Sequence, residues 1–333
     1  MTQRKWRVLV TGGAGYVGSA LVPMLIRDGH NVTVLDLYLY GEEIFKELRG
    51  HRNFREIKGD LRDIETVKDA LAQCDCVIHL ACISNDPSYD LDPQLGKSIN
   101  YDSFRPLVRQ SKKFGIRRFI YASSSSVYGV KDVPEVTEDL FLEPLTDYSK
   151  FKALCELELA EERAPGFTVC TIRPSTVCGY APRQRMDVVV NIFTNQAFHN
   201  GKIRVTGGPQ KRPNIHITDM CRTYLHLLQQ SDEKIDGKIW NAGDTNFSIS
   251  KLAEIVKGVI GHHVTIEMLP TNDPRSYQVS GRKIREEIGF ELQFTIEDAV
   301  RDLVKALEVG ILKDPLTNSR YFNIKRMQEI SLK

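Results

Sequence analysis

Val8-Leu9-Val10 leads straight into Thr11-Gly12-Gly13-Ala14-Gly15-Tyr16-Val17-Gly18, and an amphipathic stretch from Ala20 to Asp28 follows. A short β-branched run that breaks on glycines and reopens with helical periodicity predicts a strand, a tight turn and a helix, the first part of a βαβ unit. Gly12, Gly15 and Gly18 fit T-G-x-x-G-x-x-G, while Gly13, Gly15 and Gly18 fit G-x-G-x-x-G. Glycine is demanded where a Cβ would obstruct the turn, the approach of a pyrophosphate or the packing of helix on strand. Tyr16 and Val17 then open the helix whose N-terminal N–H groups face the phosphates. Any tight turn can call for glycine on steric grounds alone, so the flanking sequence has to decide.

It does so with Val32-Thr33-Val34-Leu35-Asp36, a second strand closed by an acid 18 positions past Gly18. A carboxylate there accepts hydrogen bonds from the hydroxyls of an adenosine ribose. Leu37 to Glu43 contains no Arg or Lys that would neutralise a 2′-phosphate, which favours NAD over NADP. Gly59-Asp60-Leu61 precedes another helical segment and brings Asp60 and Leu61 to the adenine edge, with a helix N-cap as the alternative role for Asp60.

The same rhythm runs on through Thr66 to Ala72, Val77 to Leu80, Ser103 to Phe114, Arg118 to Ala122, Ser149 to Arg163 and Phe167 to Ile172. Alternating strands and helices predict an α/β fold with a doubly wound parallel Rossmann sheet of five or six strands. From about Arg173 the pattern breaks into loops carrying Pro174, Pro182, Gly207, Gly208, Pro209 and Pro213, with helical pieces near 218–230 and 248–260. The expected organisation is an NAD-binding domain over 1–172 and a smaller mixed α/β substrate region over 173–333, part of 213–243 returning to the first domain.

Composition narrows the function classes. Among 333 residues, 45 Lys and Arg nearly cancel 43 Asp and Glu, so the net charge of +2 gives no field to attract nucleic acid or an anionic membrane. No apolar run approaches the roughly 20 residues of a membrane-spanning helix. Met1 to Trp6 runs into Arg7 to Val10 and its glycines without the pattern of a cleaved leader, so a cytoplasmic protein is expected. The seven cysteines are an odd set whose near pair, Cys74 and Cys76, has C-x-C spacing, and His262 and His263 have no second ligand pair, so no metal site is expected.

Chemistry enters at Ser123-Ser124-Ser125-Ser126-Val127-Tyr128-Gly129, which follows the Arg118 to Ala122 strand, and at Tyr148-Ser149-Lys150-Phe151-Lys152, which opens a helix. Tyr148 and Lys152, four apart, share a helical face. A phenol titrates near ~10 in water, and neighbouring positive charge favours the phenolate that can take a hydroxyl proton. The serine strand ends at the same sheet edge as the glycine loop, so these groups converge.

Taken together, Thr11-Gly12-x-x-Gly15-x-x-Gly18, Asp60-Leu61, His79-Leu80-Ala81, Ser124 with Val127-Tyr128-Gly129, Tyr148-x-x-x-Lys152, Arg212-Pro213-Asn214-Ile215-His216 and Asn241-Ala242-Gly243 resemble the extended short-chain dehydrogenase/reductase family. The resemblance implies Tyr148 as base, Lys152 lowering its pKa and holding the nicotinamide ribose, and Ser124 on the reacting oxygen, with Ser123 and Ser125 as alternatives. It assigns the cofactor to Gly12, Gly15, Tyr16, Val17, Gly18, Asp36, Asp60, Leu61, Leu80, Ala81, Tyr148, Lys152 and Pro174. It assigns a nucleotide-sugar substrate to Ser84, Ser125, Ser126, Arg183, Arg185, Arg212 and Arg275, arginine forks being suited to phosphate oxygens.

Members that eliminate water between C4 and C6 of a hexose carry Asp-Glu where this chain has Ser125-Ser126, which argues against a dehydratase. The expectation is an epimerase that removes and returns hydride at one carbinol, C4 by resemblance, or alternatively a 4-dehydrogenase that releases a keto-sugar. Ala181-Pro182-Arg183-Gln184-Arg185-Met186-Asp187 and the absence of an asparagine in Ile172 to Gly179 bring the chain closer to a subgroup that includes heptose-nucleotide 4-dehydrogenases. Cys82 and Cys178 have two readings each, lining of the sugar pocket or plain buried packing. A dinucleotide-sensing protein without chemistry is the competing class, set against it by the complete Ser124, Tyr148, Lys152 spacing. The helices Asp102 to Phe114 and Ser149 to Arg163, with Leu107, Val108, Leu154, Leu157 and Leu159, are expected by resemblance to pair with their copies in a homodimer.

Overall fold

The structure is a computed structural model that describes residues 4–271 and 276–330. β1 (Arg7–Thr11) enters the glycine turn and α1 (Tyr16–Arg27) leaves it. There follow β2 (Asn31–Asp36), β3 (Phe54–Lys58), α2 (Ile64–Leu71), β4 (Cys76–His79), and the short α3 (Asp86–Tyr89) and α4 (Pro93–Lys97). α5 (Phe104–Lys113), β5 (Arg118–Ala122), α6 (Asp147–Glu161) and β6 (Thr168–Pro174) complete the first part. The second part runs β7 (Thr176–Cys178), α7 (Val189–Asn200), β8 (Lys202–Thr206), β9 (Lys211–His216), α8 (Ile217–Gln229) and α9 (Asp232–Ile235). It continues with β10 (Lys238–Ala242), β11 (Thr245–Ser248), α10 (Ile249–Ile260), β12 (Thr265–Leu269), α11 (Arg282–Ile288), α12 (Ile296–Glu308) and α13 (Asn323–Ile330).

Seven strands form the main sheet in the order β10-β6-β5-β4-β1-β2-β3, and every neighbouring pair is parallel. This is the doubly wound Rossmann sheet, with its order reversing between β1 and β4, where such sheets open a ligand crevice. The count exceeds the five or six strands expected: β3 lies outside the runs read from the sequence, and β10 lies within 213–243, the stretch expected to return to the first domain. β3 reads Phe-Arg-Glu-Ile-Lys and stays partly exposed, so it lacks the continuous apolar run that marks a strand covered on both faces. β10 comes from the second part of the sequence and pairs with β6 from Lys238 opposite Cys170 to Ala242 opposite Pro174.

One face of the sheet packs Leu21, Leu25, Met220, Tyr224 and Trp240 between α1, α8 and the strands, and the other packs Leu71, Phe104, Leu107, Phe119 and Leu159 under α2, α5 and α6. A second, smaller core of Val190, Phe193, Leu252, Val256 and Val300 lies between α7, α10 and α12. It accompanies a three-stranded sheet β11-β9-β7 and the pair β12-β8. Among the described residues no helix is long and apolar enough to cross a membrane, and no group of His, Cys, Asp and Glu is arranged to hold a metal ion.

The glycine turn has the geometry its sequence predicts. Gly12 has φ of +71°, and a Cβ there would lie 2.5 Å from the Ala81 nitrogen; one on Gly18 would lie 2.5 Å from the Gly13 Cα. These two glycines are fixed by chain packing. At Gly15 a Cβ would meet a single close atom, the Gly12 carbonyl oxygen at 3.1 Å, and the residue faces the groove described below.

Beneath the sheet edge, Arg173 on β6 forms a bidentate ion pair with Glu156 on α6, Nη2 to Oε2 2.6 Å and Nε to Oε1 3.0 Å, the side chains only 4% and 3% exposed. Ser123 donates to Glu156, Arg173 Nη1 donates to the Tyr128 hydroxyl at 2.8 Å, and that hydroxyl donates to Asn241 Oδ1 at 2.7 Å. Removing one partner of a buried pair leaves an uncompensated charge and costs about 3–5 kcal/mol. Arg173→Met and Glu156→Gln are each expected to lower the chemical-denaturation stability by that order. A loss under about 1 kcal/mol in both, measured by urea unfolding, would show that the pair does not hold α6 in place.

Candidate active site

A groove of about 640 Å³ opens along the C-terminal ends of the parallel strands, reached by the glycine loop, the loops after β2, β4 and β5, the start of α6 and the second-part loops. It gathers Gly12, Gly15, Tyr16, Val17, Gly18, Asp36, Asp60, Leu61, Leu80, Ala81 and Pro174 with Ser84, Ser124, Ser125, Ser126, Tyr148, Lys152, Arg183, Arg185 and Arg212. Residues separated by as much as 200 positions in the chain therefore share one surface. Arg275 lies outside the described residues.

At one end Asp36 closes β2. Its carboxylate accepts from the Ala14 N–H at 2.9 Å and the Tyr38 N–H at 2.7 Å, so it ties the glycine loop to the strand. Burial pushes the Asp36 carboxyl above its usual range while the two backbone donors work against this. A carboxylate has about four acceptor positions, which leaves room for ribose hydroxyls beside these bonds. Asp60 is not the helix cap, since Asp63 fills that position by accepting from the Glu65 N–H. Asp60 instead pairs with Arg62 at 2.6 Å on the groove wall. Tyr16 turns its hydroxyl away to donate to the Gly179 carbonyl at 2.6 Å, linking α1 to the second part.

At the centre, the capping box of α6 fixes Tyr148 one residue inside the helix: Thr146 accepts from the Ser149 N–H, and Ser149 accepts from the Thr146 N–H. Among the serines, Ser124 is the one whose hydroxyl lowers the Tyr148 pKa. The other serines are occupied differently: Ser123 donates to Glu156, Ser125 lies 3.5 Å from the Tyr277 hydroxyl, and Ser126 lies 2.8 Å from Ser124 Oγ. Lys152 is buried and donates to the Ala122 carbonyl at 2.7 Å, its ammonium 6.0 Å from the Tyr148 ring centre.

Electrostatics at Tyr148 differ from what the family resemblance implies. Burial raises the phenol pKa well above its ordinary value, Cys82 and Asp86 raise it further, and the cation that most opposes them is Arg185, followed by the Ser124 hydrogen bond. Arg185, rather than Lys152, is the charge that acts most to lower it. Arg185 is itself held by Asp187 at 2.5 Å and reaches Ser84 Oγ at 3.3 Å.

Arg183 sits at the cofactor end of the groove. Its N–H donates to Ser19 on α1 at 3.0 Å and its guanidinium lies 3.5 Å over the Tyr40 ring, past the end of β2. Arg212 lies on β9 at the other end, near Gln210 and Tyr277 on the groove wall. Cys82 lines the groove, whereas Cys178 is fully buried with its thiol toward the Ile215 carbonyl. Three residues that sequence reasoning missed also line it: Asp86, whose carboxylate accepts from Thr146 at 2.5 Å, Tyr277, and Asn323 at the start of α13. Asn323 donates to Ser84 Oγ at 2.8 Å and accepts from Arg183 at 2.6 Å. Its position near the end of the sequence, far from any motif, gave no signal.

The chain belongs to the NAD-dependent epimerase/dehydratase family, which it matches over residues 8–243. Curated relatives within this superfamily differ in reaction. The UDP-glucose 4-epimerase of Corynebacterium glutamicum is 26% identical over 320 residues, covering 88% of this chain and 94% of that protein. The dTDP-glucose 4,6-dehydratase of Streptomyces niveus is 28% identical over 323 residues, 90% of this chain and 92% of that protein. UDP-glucuronic acid decarboxylase 6 of Arabidopsis thaliana is 29% identical, covering 90% and 88%. In fold the chain resembles the Bacillus cereus UDP-glucuronic acid 4-epimerase solved with UDP-glucuronic acid and NAD, with a TM-score of 0.82, 22% identity and coverage of 91% and 99%. The open face at Gly15 and the buried acceptor at Asp36 fit the dinucleotide on which this family depends.

Arg185→Met withdraws the positive charge that most opposes the other influences on the phenol. Because Arg185 lowers the Tyr148 pKa, its loss raises it, and the acid limb of the kcat profile moves to higher pH. A limb that stays in place or moves down would show that the Arg185 charge does not act on the base.

Proposed function

We propose that this chain is a nucleotide-sugar epimerase that inverts one carbinol of the sugar, C4 in the assignment taken from the family, with Tyr148 as the base. NAD supplies the hydride acceptor when bound. Glycines 12, 15 and 18, with Tyr16, Val17, Asp36, Asp60, Leu61, Leu80, Ala81 and Pro174, hold the cofactor, and Lys152 holds its ribose. Tyr148 takes the proton of the sugar hydroxyl through its phenolic oxygen, Ser124 donates to the same sugar oxygen, and Arg212 receives the substrate diphosphate. In this reading residues 1–172, with part of 213–243 returning to them, form the cofactor unit, and 173–333 mainly bind substrate.

The observation that carries this reading is the gathering of Ser124, Tyr148 and Lys152 in one groove whose positions 125 and 126 carry hydroxyls. Elimination of water from the sugar needs an acid and a base besides the phenol. Among the described groove residues the carboxylates are Asp36, Asp60 and Asp86, and Asp86 alone acts on Tyr148. Hydride chemistry at one carbon requires no more than the groups present.

A homodimer remains part of the proposal with a narrower basis than the sequence suggested. Leu107, Val108 and Leu159 pack within the chain's own core, while Leu154 and Leu157 are exposed on α6. Light scattering at working concentration tests it, and a monomer would overturn it.

Purified protein is expected to release NAD on denaturation and to convert one member of a UDP-, GDP-, CDP- and dTDP-sugar panel into its epimer without net NADH. Tyr148→Phe should lower turnover by about 10²–10⁴-fold, with nucleotide-sugar affinity within about threefold. Stoichiometric NADH and a keto-sugar would replace the epimerase with a 4-dehydrogenase.

A further inference from the structure

Arg183 presents a physical problem that its surroundings do not resolve. The side chain is 3% exposed, and its Nε has no hydrogen-bond partner among the described residues. The carboxylates whose charges reach it are engaged elsewhere: Asp187 accepts from Arg185 and from the Asn323 N–H, and Asp36 accepts from Ala14 and Tyr38. Burial lowers the guanidinium pKa to about 10, with Tyr40, Asp187 and Asp36 acting to raise it and Arg185 to lower it. A buried cation with an open donor is costly unless an anion completes it.

The direction of that anion is fixed by what Arg183 touches. Its backbone docks on Ser19 of the glycine-loop helix, and its guanidinium covers the Tyr40 ring beyond Asp36. All of these belong to the dinucleotide end, whereas Arg212 and Tyr277 lie toward the other. Asn323 then holds the fork: Oδ1 accepts from Arg183 Nη2 at 2.6 Å, Nδ2 donates to Ser84 at 2.8 Å, and the Asn323 N–H is received by Asp187 at 2.7 Å. α13 is pinned over the same place. Arg326 donates to the Leu39 carbonyl at 2.5 Å, and Met327 packs with Ile83, Leu95 and Ile99, with Leu39 against them.

We propose that Arg183 is a cofactor ligand, its guanidinium received by a phosphate of the dinucleotide, and that Asn323 positions it, so that α13 clasps the cofactor. This rests on the reading that NAD occupies the groove. It moves Arg183 from the substrate set to the cofactor set and gives the C-terminal helix a role in cofactor retention. Guanidinium suits this position because its fixed fork gives Nη2 to Asn323 and keeps further N–H donors for an anion.

The test uses full-length protein stripped of nucleotide, with NADH binding followed by its fluorescence and UDP, GDP, CDP and dTDP binding by calorimetry. Arg183→Met should weaken NADH by at least about tenfold and leave nucleoside diphosphate affinity unchanged. Asn323→Ala should weaken NADH by about threefold or more through faster release, and add nothing in the Arg183→Met background, the signature of one residue acting through another. Retained NADH affinity in folded Arg183→Met, or a loss that falls on the nucleoside diphosphate instead, would overturn the proposal. Should Arg183→Met not fold, unchanged NADH release in Asn323→Ala overturns it alone. Wild-type protein that does not bind NADH removes the underlying groove assignment, an outcome distinct from the others.

Discussion

The arrangement depends on one buried ion pair. Arg173 and Glu156 join β6 to α6, and through Ser123, Tyr128 and Asn241 they also reach β5, the turn after it and β10. Every segment that must be fixed for Tyr148 to meet Ser124 is a member of this set or adjacent to one. A helix resting on a sheet through apolar contacts alone can slide with little change in energy, because hydrophobic burial has no direction. Charged hydrogen bonds do have direction, and a bidentate pair shielded from water fixes rotation as well as distance. Its contribution is therefore geometric at least as much as energetic, consistent with the small net stability expected of buried pairs.

A second constraint is that neither sequence half contains the groove. The parallel sheet and α6 supply the glycine loop and Tyr148, but the edge strand β10 arrives from beyond residue 237, and Arg185, Arg212 and Asn323 come from a loop, strand β9 and a helix of the second part. Tyr16 shows how the parts are kept in register: its hydroxyl donates to Gly179 and receives Asn191, so the first helix after the glycines is tied to the loop that carries both arginines.

The sheet was legible in the sequence where strands are covered on both faces, because the runs Val8 to Val10, Val32 to Leu35 and Phe119 to Ala122 are predominantly apolar there. The edge β3 was not, since Phe54–Lys58 alternates with charge, and the edge β10 was read only as part of 213–243 returning to the first domain, without its bounds. In the site, spacing revealed Tyr148 and Lys152 because a helix fixes which residues share a face. It could not reveal Asn323, whose contacts span 140 positions to Arg183 and 239 to Ser84. Nor could it rank the charges on Tyr148. Four residues of helix place Lys152 close along the chain, yet the fold directs its ammonium to the Ala122 carbonyl and brings Arg185 in from elsewhere.

That ranking has a chemical consequence. A phenol whose pKa is raised by burial is a weak acid and, once ionised, a strong base. Positive charge lowers the cost of losing that proton, as Arg185 does, while negative charge raises it, as Asp86 does. Lys152 is held to the strand by the Ala122 carbonyl, so the fold brings to the phenol the arginine of a distant loop rather than the lysine of its own helix.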